Sequence, residues 1–336
     1  MGDLFRQLQQ WHHPASVATG LQLPIISRAA PIADWVSLGD YWLTAAIQQG
    51  LIHPLPEIQG VTEALSTPWQ ALLQRNQQGA LTPSGPLWAV PYRWGSLVLV
   101  YARRPFQQLG WAPTHWQDLW RPELAGRVSM PSHPRLALGL MLKGLGESAN
   151  HPNPDQVPAL VDRVGQGRSQ VKTYASDDYL QPLLREDTWL AVGWSTDVLP
   201  RLEKYRQLAA VVPDPGTLLS ADVWVRPNRA TALTQLAHQW VNPDSATVSV
   251  PRLTELDQQW LSYWLNPAVA EPLQLFAYGA SPLLLAAHSE DPVSTSPVSS
   301  LLPTVKQRQV SDFLLPLSAA SQAIYQTLWQ QLGLRP

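Results

Sequence analysis

The chain contains no cysteine, little charge and no long apolar run, and each lack removes a class of function. Without cysteine there is neither a disulfide framework nor a thiolate metal site, and the redox compartment stays open. Charged residues make up 14% of the sequence and the formal net charge is -2. Nucleic-acid binding draws on clustered Lys and Arg that displace counterions, and no basic stripe occurs, so nucleic acid is not an expected partner. No uninterrupted apolar stretch reaches the roughly 18 residues that suggest a membrane-spanning helix. The opening MGDLFRQLQQWHH lacks a basic segment, an apolar segment and a small-residue cleavage site, so no secretory signal is expected within the chain.

Catalytic and metal signatures are missing as well. There is no Walker-type glycine loop, and Gly193-Trp194-Ser195-Thr196-Asp197 ends in Asp where a GxSxG nucleophile elbow needs Gly. His12, His13 and His133 stand outside any HExxH or acid-bracketed spacing and read as surface residues. No two carboxylates are singled out as an acid–base pair. A hydrolase is therefore the least favoured reading, and neither a metal nor another cofactor is expected.

What is present is 336 residues, enough for two domains or one large α/β unit, with 32 prolines spread over the joints and 16 tryptophans. Leu4, Leu8 and Trp11 fall on one face of a helix over residues 3–11. A short strand over 33–38 is closed by Gly39-Asp40, and a helix over 41–49 ends at Gly50. The run 96–101 reads as an apolar strand, and further strands are expected at 128–130, 171–174, 188–192 and 208–212. Helical stretches at 155–163 and 179–184 separate them. This alternation argues for α/β layers with a largely parallel sheet. A helix over 254–265 is expected to turn Leu256, Trp260, Trp264 and Leu265 inward, and residues 321–332 form a last helix. Between 226 and 257 two Pro/Asn breaks flank a short helix, and residues 289–300 read as a loop.

Four ordered blocks carry a resemblance. They are Gly39-Asp40-Tyr41 with Gly50-Leu51-Ile52-His53-Pro54-Leu55; Trp88-Ala89-Val90-Pro91-Tyr92-Arg93-Trp94-Gly95; Ser176-Asp177-Asp178-Tyr179, Ala191-Val192-Gly193-Trp194-Ser195 and the stretch from Gly216-Thr217 to Asp222; and WLxxWLNPAVAEPLxxFAYGASP over residues 260–282. In this order they resemble the spermidine/putrescine-binding family of periplasmic solute-binding proteins of ABC transporters, and their wording is most like a branch found in oxygenic phototrophs.

The resemblance implies an α/β protein of the type II periplasmic-binding-protein fold, with two lobes joined by hinge-crossing strands and closing on a small ligand. Its implied lobes are discontinuous: residues 1–98 with 221–287, and 99–220 with 288–336. It also implies ABC transporter membrane subunits as partners, a monomer, a periplasmic location and no enzymatic activity. If Met1 is the true start, a cytoplasmic location is expected instead. The family's early strand and its aromatic and acidic loop find no counterpart in the chain, which leaves open whether the first lobe lacks that strand or an exported extension precedes it.

Tyr41, Tyr92, Trp94, Trp194 and Asp222 are the implied ligand contacts: aromatic walls for aliphatic or cationic segments, and one carboxylate for an amine. Each has a plainer reading, core packing for the aromatics and a turn or cap for Asp222. Asp177-Asp178 reads as a helix cap. The departures bear on specificity. The family's acidic pair falls on His133 and Leu136, with Arg135 kept, and the aromatic companion of Asp222 is replaced by Ser220. A polyamine is then expected to bind poorly, and a descendant that serves as a soluble interaction or scaffold protein is the alternative.

Overall fold

The computed structural model describes residues 2–12, 33–58, 60–175, 178–228, 252–286 and 297–332. The expected break at Pro227-Asn228 falls where a strand ends, whereas the break at 242–244 with the short helix before it, much of the loop at 289–300, and Ser176-Asp177 lie outside the described residues. So does His13, as do the side chains of Leu4, Trp11 and His12.

The chain forms two compact units, Met1–Tyr92 with Ala221–Asn266, and Arg93–Ser220 with Pro267–Pro336. The divisions fall at residues 92/93, 220/221 and 266/267. Residues 93–98 and 267–287, which the sequence reading groups with the first lobe, belong to the second unit. In chain order the strands are β1 (Val36–Gly39), β2 (Ile52–His53), β3 (Val90–Ala102), β4 (Val128–Pro131), β5 (Val171–Ala175), β6 (Leu190–Trp194), β7 (Leu208–Val211), β8 (Leu218–Pro227) and β9 (Asp312–Phe313). The helices up to the end of β6 and just beyond it are α1 (Gly2–His12), α2 (Leu43–Gln48), α3 (Val61–Ala64), α4 (Thr67–Leu73), α5 (Arg103–Leu109), α6 (Pro134–Gly144), α7 (Pro158–Gln170), α8 (Gln181–Leu184) and α9 (Ser195–Lys204). Strands β3 and β8 each run from one unit into the other.

In the first unit, β1 and β2 pair antiparallel with β8, with Ser37 opposite Trp224 and Gly39 opposite Asp222. The helix expected at 41–49 begins as a 3-10 turn, Asp40–Trp42, and continues as α2. Gly50, at φ 64°, lets the chain leave that helix in a conformation that side chains resist. Leu38, Leu43, Ile47, Trp69, Leu72, Trp88, Val223 and Val225 are buried here. On α1, Phe5 and Leu8 are buried and Phe5 stacks on Trp42 with centroids 4.8 Å apart.

In the second unit, β6 and β7 pair antiparallel with β3, whereas β4 pairs parallel with both β5 and β6, and β9 parallel with β8. The sheet is thus mixed, a correction to the largely parallel expectation. The reason is that β3 takes a later strand running against it on each of its two edges, within the stretch 97–102. Leu97 and Leu99 point into one buried cluster and Val98 and Val100 into another. Successive side chains of a strand alternate between faces, so a strand covered on both sides is apolar at every position, which is why residues 96–101 read as one run. A third cluster joins α6, α7 and the helix Ala319–Gln331 through Leu138, Leu142, Leu160, Tyr325 and Trp329.

An ion pair between buried Lys143 and half-buried Asp312 fastens the late chain. Lys143 Nζ lies 2.9 Å from Asp312 Oδ2, which also accepts from the Ala149 N–H at 3.0 Å. Charges removed from water need such partners to offset their desolvation.

The helix Glu255–Tyr263 departs from expectation. Leu261 and Leu265 are buried, but Leu256 is 74% exposed and Trp260 41%. One helical stripe covers about 100° of the surface, too narrow for every large side chain of this segment.

Candidate functional site

The first unit gathers Tyr41, Tyr92 and Asp222 around the β1–β8 pair. Tyr41 follows Asp40 in the 3-10 turn that ends β1; its ring is 37% exposed and meets Trp42 edge-on at 5.8 Å. Asp40 is buried and its Oδ1 accepts from the backbone N–H of Ala221 at 2.9 Å, tying the turn that carries Tyr41 to the residue before Asp222. Arg75, also buried, donates to Thr44 Oγ1 at 2.6 Å and to the Leu72 carbonyl at 3.1 Å. Burial pulls this guanidinium down to about 10 and the charge of Asp40 works against that pull, so it stays cationic at neutral pH.

Tyr92 shares a hydrogen bond of 2.9 Å with Ser37 Oγ and stacks on Trp224 at 4.7 Å, 26° from parallel. Trp224 stands two residues beyond Asp222 on β8, hence on the same face. Its ring and those of Trp260 and Trp264 complete an aromatic group, with Trp260 and Trp264 at right angles 5.1 Å apart. The sequence reading missed Trp224, although strand alternation from Asp222 points to it. Asp222 is 5% exposed, a buried carboxylate rather than a surface turn residue.

The second unit holds Trp94 and Trp194. Trp94 is 1% exposed, its indole N–H donates to the Ser281 carbonyl at 2.9 Å, and its backbone bridges to Ala280. With its ring enclosed and its donor committed, Trp94 serves packing, so its place as a cleft wall is corrected to the core. Trp194 ends β6 and caps α9, half-buried, and packs against the clusters on both faces of the sheet. Neighbouring Ser195 is buried and accepts from the Ser96 N–H at 3.1 Å. A methyl on Gly95 would come within 2.8 Å of that hydroxyl, so the strand and the start of the helix approach at glycine distance.

His133, expected at the surface, is half-buried before α6. Burial first and the neighbouring Arg135 second pull its imidazole down to about 4, so it is neutral at physiological pH. Arg135 is buried and faces inward, donating to Asn150 Oδ1 at 2.8 Å and lying 4.9 Å from the Tyr325 ring centre. Asp178 is exposed, and it is its backbone carbonyl that meets the Gln181 N–H where α8 starts. Among the described residues no cluster of three His, Cys, Asp or Glu could hold a metal ion, and no helix is long and apolar enough to cross a membrane.

These features meet a family model. Residues 30–242 match the model described as bacterial extracellular solute-binding protein. The chain belongs to this family. Among curated relatives, a putrescine/cadaverine-binding protein of Pseudomonas aeruginosa is 25% identical over 118 residues, 34% of this chain and 33% of that protein. A spermidine/putrescine-binding periplasmic protein of Escherichia coli is 22% identical over 143 residues, 43% of this chain and 40% of the relative. The chain therefore matches well under half the length of these relatives. Across solved structures, a spermidine/putrescine ABC transporter substrate-binding protein from Streptococcus pneumoniae superposes with a TM-score of 0.70 at 19% identity, covering 99% of this chain and 87% of that one. The α/β fold expected from the sequence is that of these substrate-binding proteins.

Proposed function

We propose that this protein captures a small ligand for an ABC importer outside the cytoplasmic membrane, as a binding protein and not an enzyme, with Tyr41, Tyr92, Trp194 and Asp222 as ligand contacts. The observation that carries this reading is the family match, whose span of residues 30–242 includes all four. The chemistry agrees with it: partly exposed aromatic rings hold apolar or cationic segments, and one buried carboxylate offers one amine a partner. Neutral His133 and apolar Leu136 stand where the resemblance implies a pair of acids. The ligand that fits is at most singly cationic or largely apolar. Two lobes with a monomeric state are part of the same proposal.

Thermal-shift screening of small amines, amino acids and polyamines, followed by calorimetry on the best of them, tests it. Spermidine and putrescine are expected to bind weakly, since a missing charge partner in a desolvated site costs about 3 to 5 kcal/mol, on the order of a hundredfold or more in affinity. Sub-micromolar spermidine binding that is abolished by Asp222→Ala overturns this specificity. The same loss of acids favours a second reading, a family descendant that serves as an interaction protein; a protein that answers no member of the screen supports it.

A further inference from the structure

Tyr179 is buried just before α8, yet its hydroxyl is not idle. It donates to Asp197 Oδ2 and accepts from the backbone N–H of Trp194 at 3.4 Å. Burial first, and then the charge of Asp197, push this phenol far above its ordinary value, so it remains a donor at every physiological pH. Its ring lies against the corner itself: a methyl on Gly193 would come within 3.1 Å of Tyr179 Cε2. Asp197 in turn sits in the first turn of α9, where the helix dipole favours a carboxylate, and its carbonyl accepts from Arg201 Nη1 at 2.9 Å. One hydroxyl thus joins the last residue of β6 to the first turn of α9. At that junction Trp194 has φ -70° and ψ 135°, and those angles aim its side chain.

We propose that Tyr179 and Asp197 are positioning residues that set the orientation of the Trp194 indole for ligand contact. The proposal rests on the reading of Trp194 as a ligand wall. A buried tyrosine that only fills space would lose little but stability on becoming phenylalanine. One that aims Trp194 would also change the environment of that single indole. Without the hydroxyl, the Asp197 carboxylate and the Trp194 N–H both lose a partner and the corner is free to adopt another backbone angle.

The test is a nitrogen–proton correlation spectrum of the whole chain, in which the indole N–H signal of Trp194 is assigned by its disappearance in Trp194→Phe. Tyr179→Phe and Asp197→Ala should each displace that signal, and the double variant should displace it no further than the larger single effect. The indole signals of Trp69 and Trp329, assigned in the same way, should stay in place. In a titration with the singly charged amine butylamine followed on the Trp194 signal, Tyr179→Phe should weaken the response about tenfold, the size expected for one hydrogen bond to a charged group. A Trp194 signal that does not move in Tyr179→Phe, or that moves no more than those of Trp69 and Trp329, overturns the positioning role. The ligand-wall reading fails separately: if Trp194→Ala leaves the butylamine titration, followed by thermal shift, unchanged, Trp194 is no ligand contact and the strut has no part in binding.

Discussion

Two groups of aromatic side chains, one in each unit, are held differently, although the first unit also encloses Trp88, whose indole N–H donates to the Arg75 carbonyl at 2.8 Å. In the second, Trp94 and Trp116 are enclosed and each indole N–H is spent on a backbone carbonyl, Ser281 at 2.9 Å and Gly216 at 2.7 Å. In the first, Tyr92, Trp224, Trp260, Tyr263 and Trp264 lean on one another, with Trp260 and Tyr263 exposed, and the indole N–H groups of Trp224 and Trp264 have no hydrogen-bond partner among the described residues. Abundant tryptophan therefore does not mark a site. What separates a packing ring from one able to meet a ligand is whether its face is covered and its polar atom already committed.

The largest effect that bears on this contrast is expected at Trp94. Trp94→Ala should cost about 3 to 5 kcal/mol, because a large ring leaves a cavity and the Ser281 carbonyl loses its donor. Trp260→Ala, at a ring that is 41% exposed, should cost within about 1 kcal/mol. Urea unfolding of both variants measures the difference, and equal losses would erase the distinction between the two groups of rings.

A smaller effect is expected where β3 meets α9. Gly95→Ala should destabilise by about 1 to 3 kcal/mol, since the new methyl would sit 2.8 Å from Ser195 Oγ and 3.1 Å from Thr196 Cγ2. In a Ser195→Gly background, which bears its own cost because the Ser96 N–H loses its acceptor, Gly95→Ala should cost less than it does in the parent, since the obstructing atom is gone. If Gly95→Ala costs the same in both backgrounds, its cost lies in the strand's own conformation and not in this close approach.

How much of this was legible in the sequence depends on the range of the forces involved. The run 96–101 announced a strand covered on both faces because the alternation rule has a single apolar solution there. Strand β9, two residues long, announced nothing: it is held by Lys143 and by pairing with Leu218 and Leu219, far away in sequence. The helix Glu255–Tyr263 was legible as a helix, but the side it buries was not, since Leu256, Trp260, Leu261 and Leu265 compete for one stripe. Motif order proposes Tyr41, Tyr92, Trp194 and Asp222 as ligand contacts. The enclosure of Trp94 arises from Ser281, and the bond between Tyr179 and Asp197 spans 18 residues of chain, so neither is written in local pattern. His133 looked like a surface residue because a lone histidine in sequence carries no sign of its burial.

His133 gives the comparison a pH axis. Its folded value is about 4 against an ordinary 6.5, lowered by burial and then by Arg135. Between these values the unfolded chain takes up a proton that the folded protein refuses. The stability contributed by the neutral imidazole is therefore complete above pH 6.5 and falls away as the pH drops toward 4. Allowing for partial solvent access, the loss should amount to about 1 to 2 kcal/mol. Melting temperatures recorded from pH 7 to pH 4 should show a decline that is shallower in His133→Gln. Parallel curves for the two proteins would assign the acid sensitivity to other groups.

The smallest effect on folding should accompany a large effect on function, and it belongs to Tyr41. Its ring is 37% exposed and the turn that carries it is secured through Asp40, whose carboxylate holds the Ala221 N–H without help from the Tyr41 ring. Tyr41→Ala should therefore change stability by no more than about 0.5 kcal/mol, as for surface positions in general. If the ring is a ligand wall, the same variant should weaken binding of the best ligand from the screen by about tenfold, the worth of one aromatic contact of 1 to 1.5 kcal/mol. Calorimetry beside urea unfolding separates the two quantities. A variant that binds as the parent does removes Tyr41 from the site, whereas one that loses stability and affinity together shows that Tyr41 belongs with Trp94 among the packing rings.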